Sequence, residues 1–277
     1  MKTIGFVDYY ISEWHANNYP QWIKEESEKL GENFVVKYAW AELDKSLVDG
    51  VTTEEWCNKF GVEKCNTIGE LCEKADYILV LAPSDLDKHL GYAKEVFKFK
   101  KNTYIDKTFA PDYKTAKEIF DLAEKYGVKF FSSSALRYSN ELDLLPETNN
   151  IITHGGGGNL DEYIIHQIEM VVKCLGVGMD KVCYNKVADT EWADVVYTNG
   201  KSAKMMFAPC MPFAITVSKN DGKSAYMSIN SEFFKGLIAD IFNFFQTGET
   251  SFDAQETLEI MKIREAVIKA KAEVGNG

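Results

Sequence analysis

Apolar residues in this chain alternate between strand and helix spacing, and the alternation changes its rhythm after Arg137. Residues 3–7 and 34–40 are short apolar runs, and 77–82 is an unbroken one ending at Pro83, as a strand buried on both faces should be. Between them, residues 20–30, 52–60 and 68–74 carry apolar positions at helical spacing. Pro20 suits the first position of its helix, with Asn18 or Tyr19 as the cap, and so interrupts what would otherwise be one longer helix. The rhythm continues with a helix over 86–97, a strand over 102–105, a helix over 113–126 closed by Gly127, and a strand over 128–132. Strand and helix alternating in this way predict a Rossmann-like α/β unit, a doubly wound parallel sheet.

Beyond Arg137 the pattern differs. A strand near 150–154 leads through Gly155–Gly158 into a helix over 160–175. Strands follow over 181–187, 194–198, 203–207, 213–218 and 225–229 with no helix between them, and Asn220-Asp-Gly-Lys is a hairpin signal. Helices over 232–246 and 254–274 close the chain. This predicts an α+β domain on an open, mostly antiparallel sheet, and it divides the chain into 1–137 and 138–277.

At 277 residues and 45% hydrophobic, the chain can bury two modest cores. A net charge of -11, with arginine only at Arg137 and Arg264, speaks against a nucleic-acid surface. No apolar run reaches membrane-spanning length, and the N-terminus enters a strand directly with no secretory or transit character. The expected location is cytoplasmic. Six cysteines without a Cys-x-x-Cys pair read as reduced thiols, and the four histidines show no dedicated metal spacing, so no metal is expected. His89 reads as a helix-surface histidine. An open sheet face in the second domain favours a homo-oligomer, a dimer or tetramer.

The most informative chemistry is Gly158-Asn-Leu-Asp-Glu162-Tyr-Ile-Ile-His166. Residues four apart share one helix face, so Glu162 and His166 can meet the same ligand. A histidine beside a carboxylate suits proton transfer to or from a hydroxyl or carbonyl. The glycines before it either let backbone approach a ligand or make a flexible turn.

Gly158-x-x-x-Glu162-x-x-x-His166 resembles the Gly-x-x-x-Asp-x-x-x-His motif of the Gfo/Idh/MocA family of sugar and polyol oxidoreductases, with Glu for Asp. Asp106-Lys107-Thr108 resembles that family's Glu-Lys-Pro segment, Ser132-Ser-Ser-Ala-Leu-Arg137 the strand and arginine closing its nucleotide domain, and residues 251–275 its C-terminal segment. The resemblance implies a reaction centre of Lys107, His166 and Glu162. Lys107 would orient substrate or stabilise charge, His166 would be the acid–base group, and Glu162 would bind a hydroxyl or orient the imidazole. Arg137 and His154 join Lys107, Glu162 and His166 as the implied substrate residues, for a carbohydrate-like small molecule.

The resemblance also implies a nicotinamide cofactor, NAD over NADP because no arginine lies near Glu42 or Asp44 to hold a 2′-phosphate. Its implied binding residues are Asp8, Tyr9, Tyr10, Ile11, Glu42, Pro83, Asp106 and Lys107. One element departs. The first strand–helix turn reads Asp8-Tyr9-Tyr10-Ile11-Ser12-Glu13, without the glycines that let backbone approach a pyrophosphate. The phosphate site is therefore remodelled or absent. Trp14-His15-Ala-Asn17-Asn18-Tyr19 reads equally as a recast ligand site or a capped aromatic junction. A non-redox lyase or epimerase on the same fold, with no added nicotinamide, and a degenerate ligand-binding member stay as alternatives.

Overall fold

The computed structural model describes residues 1–83, 85–218 and 222–275. Two compact units emerge: 1–133 with 238–251, and 134–237 with 252–277. The boundary thus falls at Ser133/Ser134 rather than after 137, and the chain returns to the first unit late.

The first unit holds β1 (Lys2–Asp8), α1 (Trp14–Lys29), β2 (Phe34–Ala41), α2 (Thr53–Phe60), β3 (Glu63–Lys64), α3 (Ile68–Lys74), β4 (Tyr77–Val80), α4 (Lys88–Val96), β5 (Thr103–Ile105), α5 (Tyr113–Tyr126) and β6 (Phe130–Phe131). The strands form a parallel sheet in the order β3-β2-β1-β4-β5-β6. This is the doubly wound arrangement, with its order reversing between β1 and β4. Local chemistry sets the helix ends. Thr52 and Glu55 form a capping box on α2, and Asp112 caps α5, which ends at left-handed Gly127. Gly5 sits inside β1 because a Cβ there would lie 2.5 Å from Leu71. Within 238–251, Phe242 stacks on Phe34 at 4.1 Å and Phe245 on Tyr77 at 4.6 Å, so aromatic burial holds this returning segment.

Helix α1 departs from expectation. It begins at Trp14, capped by Glu13, and carries Pro20 in its interior. Asn18 is not a cap, since its side chain donates to the Trp14 carbonyl at 2.6 Å. Proline removes one backbone donor, yet the Glu13 cap and burial of Tyr19 and Ile23 carry the helix through it. His89 is also not on the surface. It is fully buried, with Nδ1 3.1 Å from the Phe109 carbonyl and Nε2 2.6 Å from that of Leu81.

The second unit contains α6 (Asn140–Asp143), β7 (Asn150–Gly155), α7 (Leu160–Leu175), β8 (Met179–Val187), β9 (Thr190–Tyr197), β10 (Ser202–Phe207), β11 (Ala214–Ser218), β12 (Ser224–Ser228) and α9 (Ala254–Gly275). Helix α8 (Phe233–Thr247) starts in this unit and ends in the first. The sheet order is β12-β11-β7-β10-β9-β8, with only the β7–β10 pair parallel among the described strands. The α+β expectation is met. The hairpin signal at Asn220-Asp-Gly-Lys lies partly outside the described residues. Strand β7 alternates: Ile151 and Thr153 are buried, Ile152 is exposed, and Thr153 reaches Gln167 of α7 at 2.8 Å. One sheet face therefore carries α7. The other leaves Ile152, Val196 and Tyr226 exposed.

Candidate functional site

Two groupings of chemistry-bearing residues stand out, one in each unit. In the second unit, Asn159 caps α7 by accepting from the Glu162 amide at 2.9 Å, which sets the helix that bears both Glu162 and His166. Glu162 is exposed in the first turn, with Oε2 3.4 Å from the Asn159 side-chain amide. His166 is half-buried one turn on, flanked by the rings of Tyr163 and Phe213, each at 5.8 Å. It is Ser134 that meets the imidazole, with Oγ 2.7 Å from Nδ1. A hydrogen bond at one ring nitrogen fixes the tautomer and orientation of the ring.

Ser134 is itself held. Its amide donates to Glu169 Oε2 at 3.0 Å, and Glu169 Oε1 accepts from Arg137 Nε at 2.5 Å. Arg137 Nη2 donates to Glu256 at 2.7 Å, and its guanidinium lies 4.0 Å over the Phe252 ring. Burial works against the charge on Arg137, but the facing carboxylates more than offset it and raise its pKa. Burial pushes Glu169 upward, opposed by Arg137. Arg137, expected among the substrate residues, is thus committed to two carboxylates inside the unit. A chain of contacts runs from Glu256 through Arg137, Glu169 and Ser134 to His166. Sequence reasoning missed Ser134 and Glu169. Their signals were the serine run before Arg137 and the helical spacing of His166 and Glu169.

His154 does not join this grouping. Its place in β7 puts it on the sheet face away from α7, where Nδ1 is 2.9 Å from the Pro212 carbonyl. The glycine run has an internal reason. A Cβ on Gly155 would lie 2.2 Å from the Phe213 ring, on Gly156 2.3 Å from the Ala208 carbonyl, and on Gly157 2.1 Å from the Tyr163 ring. These glycines permit close packing of the protein on itself, beside the rings that flank His166.

In the first unit, the expected cofactor residues lie at the carboxyl ends of the strands, where doubly wound sheets place ligands. Asp8 is fully buried at the end of β1. Its Oδ1 accepts from the amides of Tyr9 at 2.7 Å and Ala82 at 3.1 Å, bridging β1 and the segment after β4. Ala82 holds a left-handed φ of 45°, a strained conformation for a residue with a Cβ. Burial first, then the charges of Glu13 and Asp106, hold the Asp8 carboxyl well above the usual carboxylate range, against the pull of the two amides. Glu13 accepts from the amides of His15 at 2.7 Å and Ala16. His15 Nδ1 lies 3.4 Å from Glu13 Oε2 and 3.5 Å from Asp106 Oδ2. Asp106 is 1% exposed at the end of β5 and accepts from the Tyr104 hydroxyl at 3.1 Å. Tyr10 and Ile11 are buried, Tyr9 lies under Lys88 Nζ at 4.5 Å, and Pro83 and Lys107 are half-buried.

Glu42 follows β2, where an acidic residue would meet a ribose. Both its oxygens are engaged, Oε1 by Lys88 at 2.6 Å and Oε2 by the Tyr92 hydroxyl at 2.8 Å, and its pKa is lowered, chiefly by the Lys88 bond. It lines a cavity of about 580 Å³ with Trp40, Asn66, Asp87, Lys88 and Tyr92. Among the described residues, no group of three or more His, Cys, Asp or Glu is arranged to hold a metal, and no helix is long and apolar enough to cross a membrane.

A family model described as an oxidoreductase family with an NAD-binding Rossmann fold matches residues 45–134. In structure the chain is similar to UDP-N-acetylglucosamine 3-dehydrogenase GnnA from Acidithiobacillus ferrooxidans, at TM-score 0.77 and 11% identity over 97% of each chain. It is similar also to a putative myo-inositol dehydrogenase from Sinorhizobium meliloti 1021, at TM-score 0.75 and 11% identity over 99% and 98% of the two chains. The resemblance to the Gfo/Idh/MocA family holds. GenD2 from gentamicin A biosynthesis, solved in complex with NAD, aligns at TM-score 0.77 and 11% identity over 99% of this chain and 95% of its own. At these identities the structures establish the shared fold. No curated protein matches the chain in sequence. The Gfo/Idh/MocA model begins matching at residue 45, after β1, α1 and β2. That omitted segment carries the β1–α1 turn, whose residues do not fit a dinucleotide pyrophosphate: the amides at the start of α1 already hold a carboxylate, and a second carboxyl closes the crevice between β1 and β4.

Proposed function

We propose that this chain is a Gfo/Idh/MocA-type enzyme that transfers a proton on a hydroxylated, carbohydrate-like small molecule, with His166 as the acid–base group. The observation that carries this reading is the 2.7 Å contact of Ser134 Oγ with His166 Nδ1, backed by the buried Glu169–Arg137 pair. An imidazole held in one orientation by a second group is the arrangement acid–base catalysis requires. Glu162, on the same helix, would hold a substrate hydroxyl. Lys107, at the end of β5, is a candidate for the cation that stabilises developing negative charge on oxygen.

The description of the matching family and the names of the structural neighbours support an oxidoreductase acting on a CH–OH carbon with NAD. The carboxyls at the β1–α1 turn favour a second reading without a hydride acceptor, in which His166 takes a proton from a carbon beside a carbonyl and returns it to the opposite face in epimerisation, or gives it to a departing hydroxyl as water in elimination. We place the enzyme in the cytoplasm as a homo-oligomer, a dimer or tetramer, associating through the exposed sheet face that carries Ile152, Val196 and Tyr226.

The test is solvent exchange. The wild type and His166→Ala are incubated in D2O with a panel of sugars, polyols and nucleotide sugars, with and without NAD, and followed by NMR. Exchange or conversion by the wild type that His166→Ala loses, with its fold intact, is the expected result. Conversion only with NAD selects the dehydrogenase. Equal activity in both proteins would sink the assignment of His166.

A further inference from the structure

The amides at the start of an α-helix that follows the first strand of a doubly wound sheet are the ready-made seat for a phosphate. In this chain that seat is filled from within. Glu13 folds back as the cap of α1, and its two carboxylate oxygens take the amides of His15 and Ala16. A bound phosphate would need those same donors. Five residues upstream, the Asp8 carboxyl crosses the gap between β1 and β4, taking the amides of Tyr9 and Ala82. Both side chains are sealed from solvent, with Asp8 at 0% and Glu13 at 6% exposure. The Ala82 amide is presented by a backbone in the left-handed region, so the local fold is strained toward this contact. The loop between the two carboxyls is also closed to backbone approach by buried Tyr10, Ile11 and Ser12.

We propose that Asp8 and Glu13 are built-in replacements for the two phosphates of a dinucleotide, and that the first unit excludes NAD and NADP from the usual pose of this fold. Two acidic groups occupy the two positions, at the helix N-terminus and at the strand crossover, where a pyrophosphate would otherwise be neutralised by amide dipoles. A dinucleotide would bring two phosphate groups into competition with the Asp8 and Glu13 carboxyls for the same amides. The ribose position follows the same logic, because both oxygens of Glu42 are already engaged by Lys88 and Tyr92. Proton transfer at His166 does not depend on this inference, so the solvent-exchange test and the one below fail separately.

The experiment uses the full chain and ADP, which carries the diphosphate without the nicotinamide, with NADH as a second probe. Binding is followed by calorimetry and nicotinamide fluorescence for the wild type, Glu13→Gly and Glu13→Gln. Glycine tolerates the cap position and leaves the amides open. Glutamine keeps the shape and removes the charge, which covers the case in which the glycine variant does not fold. The expected result is no saturable ADP binding by the wild type up to millimolar concentration, and a gain of about tenfold in Glu13→Gly, near the upper end of a partly buried helix-terminus charge interaction. A smaller gain is expected in Glu13→Gln. Saturable wild-type binding of NADH displaced by ADP overturns the proposal. Folded variants as blind to ADP as the wild type overturn it too, because Glu13 would then not be what keeps the anion out.

Discussion

Replacing Arg137 by methionine tests the buried network behind His166. The guanidinium makes a 2.5 Å bond to Glu169 and a 2.7 Å bond to Glu256. Methionine fills much of its volume but leaves Glu169, 1% exposed, facing no guanidinium. Breaking a buried pair by removing one partner costs about 3–5 kcal/mol. The Glu256 side chain is 23% exposed, so water recovers much of its share and most of the cost falls on Glu169. At about 2–4 °C per kcal/mol for larger domains, the unfolding midpoint should fall by on the order of 10 °C. Calorimetry and urea unfolding at neutral pH read this directly. The partner variant is Glu169→Gln, which keeps an acceptor for the Ser134 amide while removing the stranded charge. Combined with Arg137→Met it should recover at least half of the loss, because a neutral pair in the same space is far cheaper than a lone buried carboxylate. A cost for Arg137→Met below about 1 kcal/mol, or strict additivity in the double variant, would refute the claim that the pair holds this region together.

Asp8→Asn should stabilise the protein near pH 8. The folded pKa of Asp8 is raised, so its stabilising contribution is complete below the ordinary value of 3.8 and is lost as pH rises through the folded value. Each unit of that rise is worth about 1.4 kcal/mol, and the variant's advantage should vanish toward acid; destabilisation at pH 8 would contradict the raised pKa. Gly156→Ala forces a Cβ against the Ala208 carbonyl, at 2.3 Å, and the Met211 amide. It should cost about 1–3 kcal/mol of overpacking in thermal unfolding, and a neutral result would restore the reading of the run as a flexible turn. Ser134→Ala removes the hydroxyl at His166 Nδ1 and should lower kcat more than it raises KM for whichever substrate the exchange screen finds. An unchanged kcat would separate Ser134 from the chemistry.

Much of the architecture was legible in the residues. The periods of two and 3.6 placed Tyr113–Tyr126 and Leu160–Leu175 with the bounds they have in the structure, because helix formation answers to neighbours three and four residues away and to local caps such as Asp112 and Asn159. The change of rhythm near Arg137 separated a parallel sheet from a mostly antiparallel one, since hairpin-length connections cannot join parallel neighbours. The lost glycines at the β1–α1 turn were also plain. What filled their place was not, because capping by Glu13 and bridging by Asp8 depend on amides presented by the fold, Ala82 among them. Pro20 read as a helix start for the same reason: local propensity favoured it, and a cap seven residues earlier overrode it. His89 read as surface because its two carbonyl partners, Leu81 and Phe109, come from separate loops. Arg137 carries no local sign of its buried role, because the carboxylates that face it, Glu169 and Glu256, come from distant stretches of chain. Sequence determines the local period, and with it the elements and their order. Which polar groups are buried, and against what, is settled only when residues far apart in the chain compete for the same donors and acceptors.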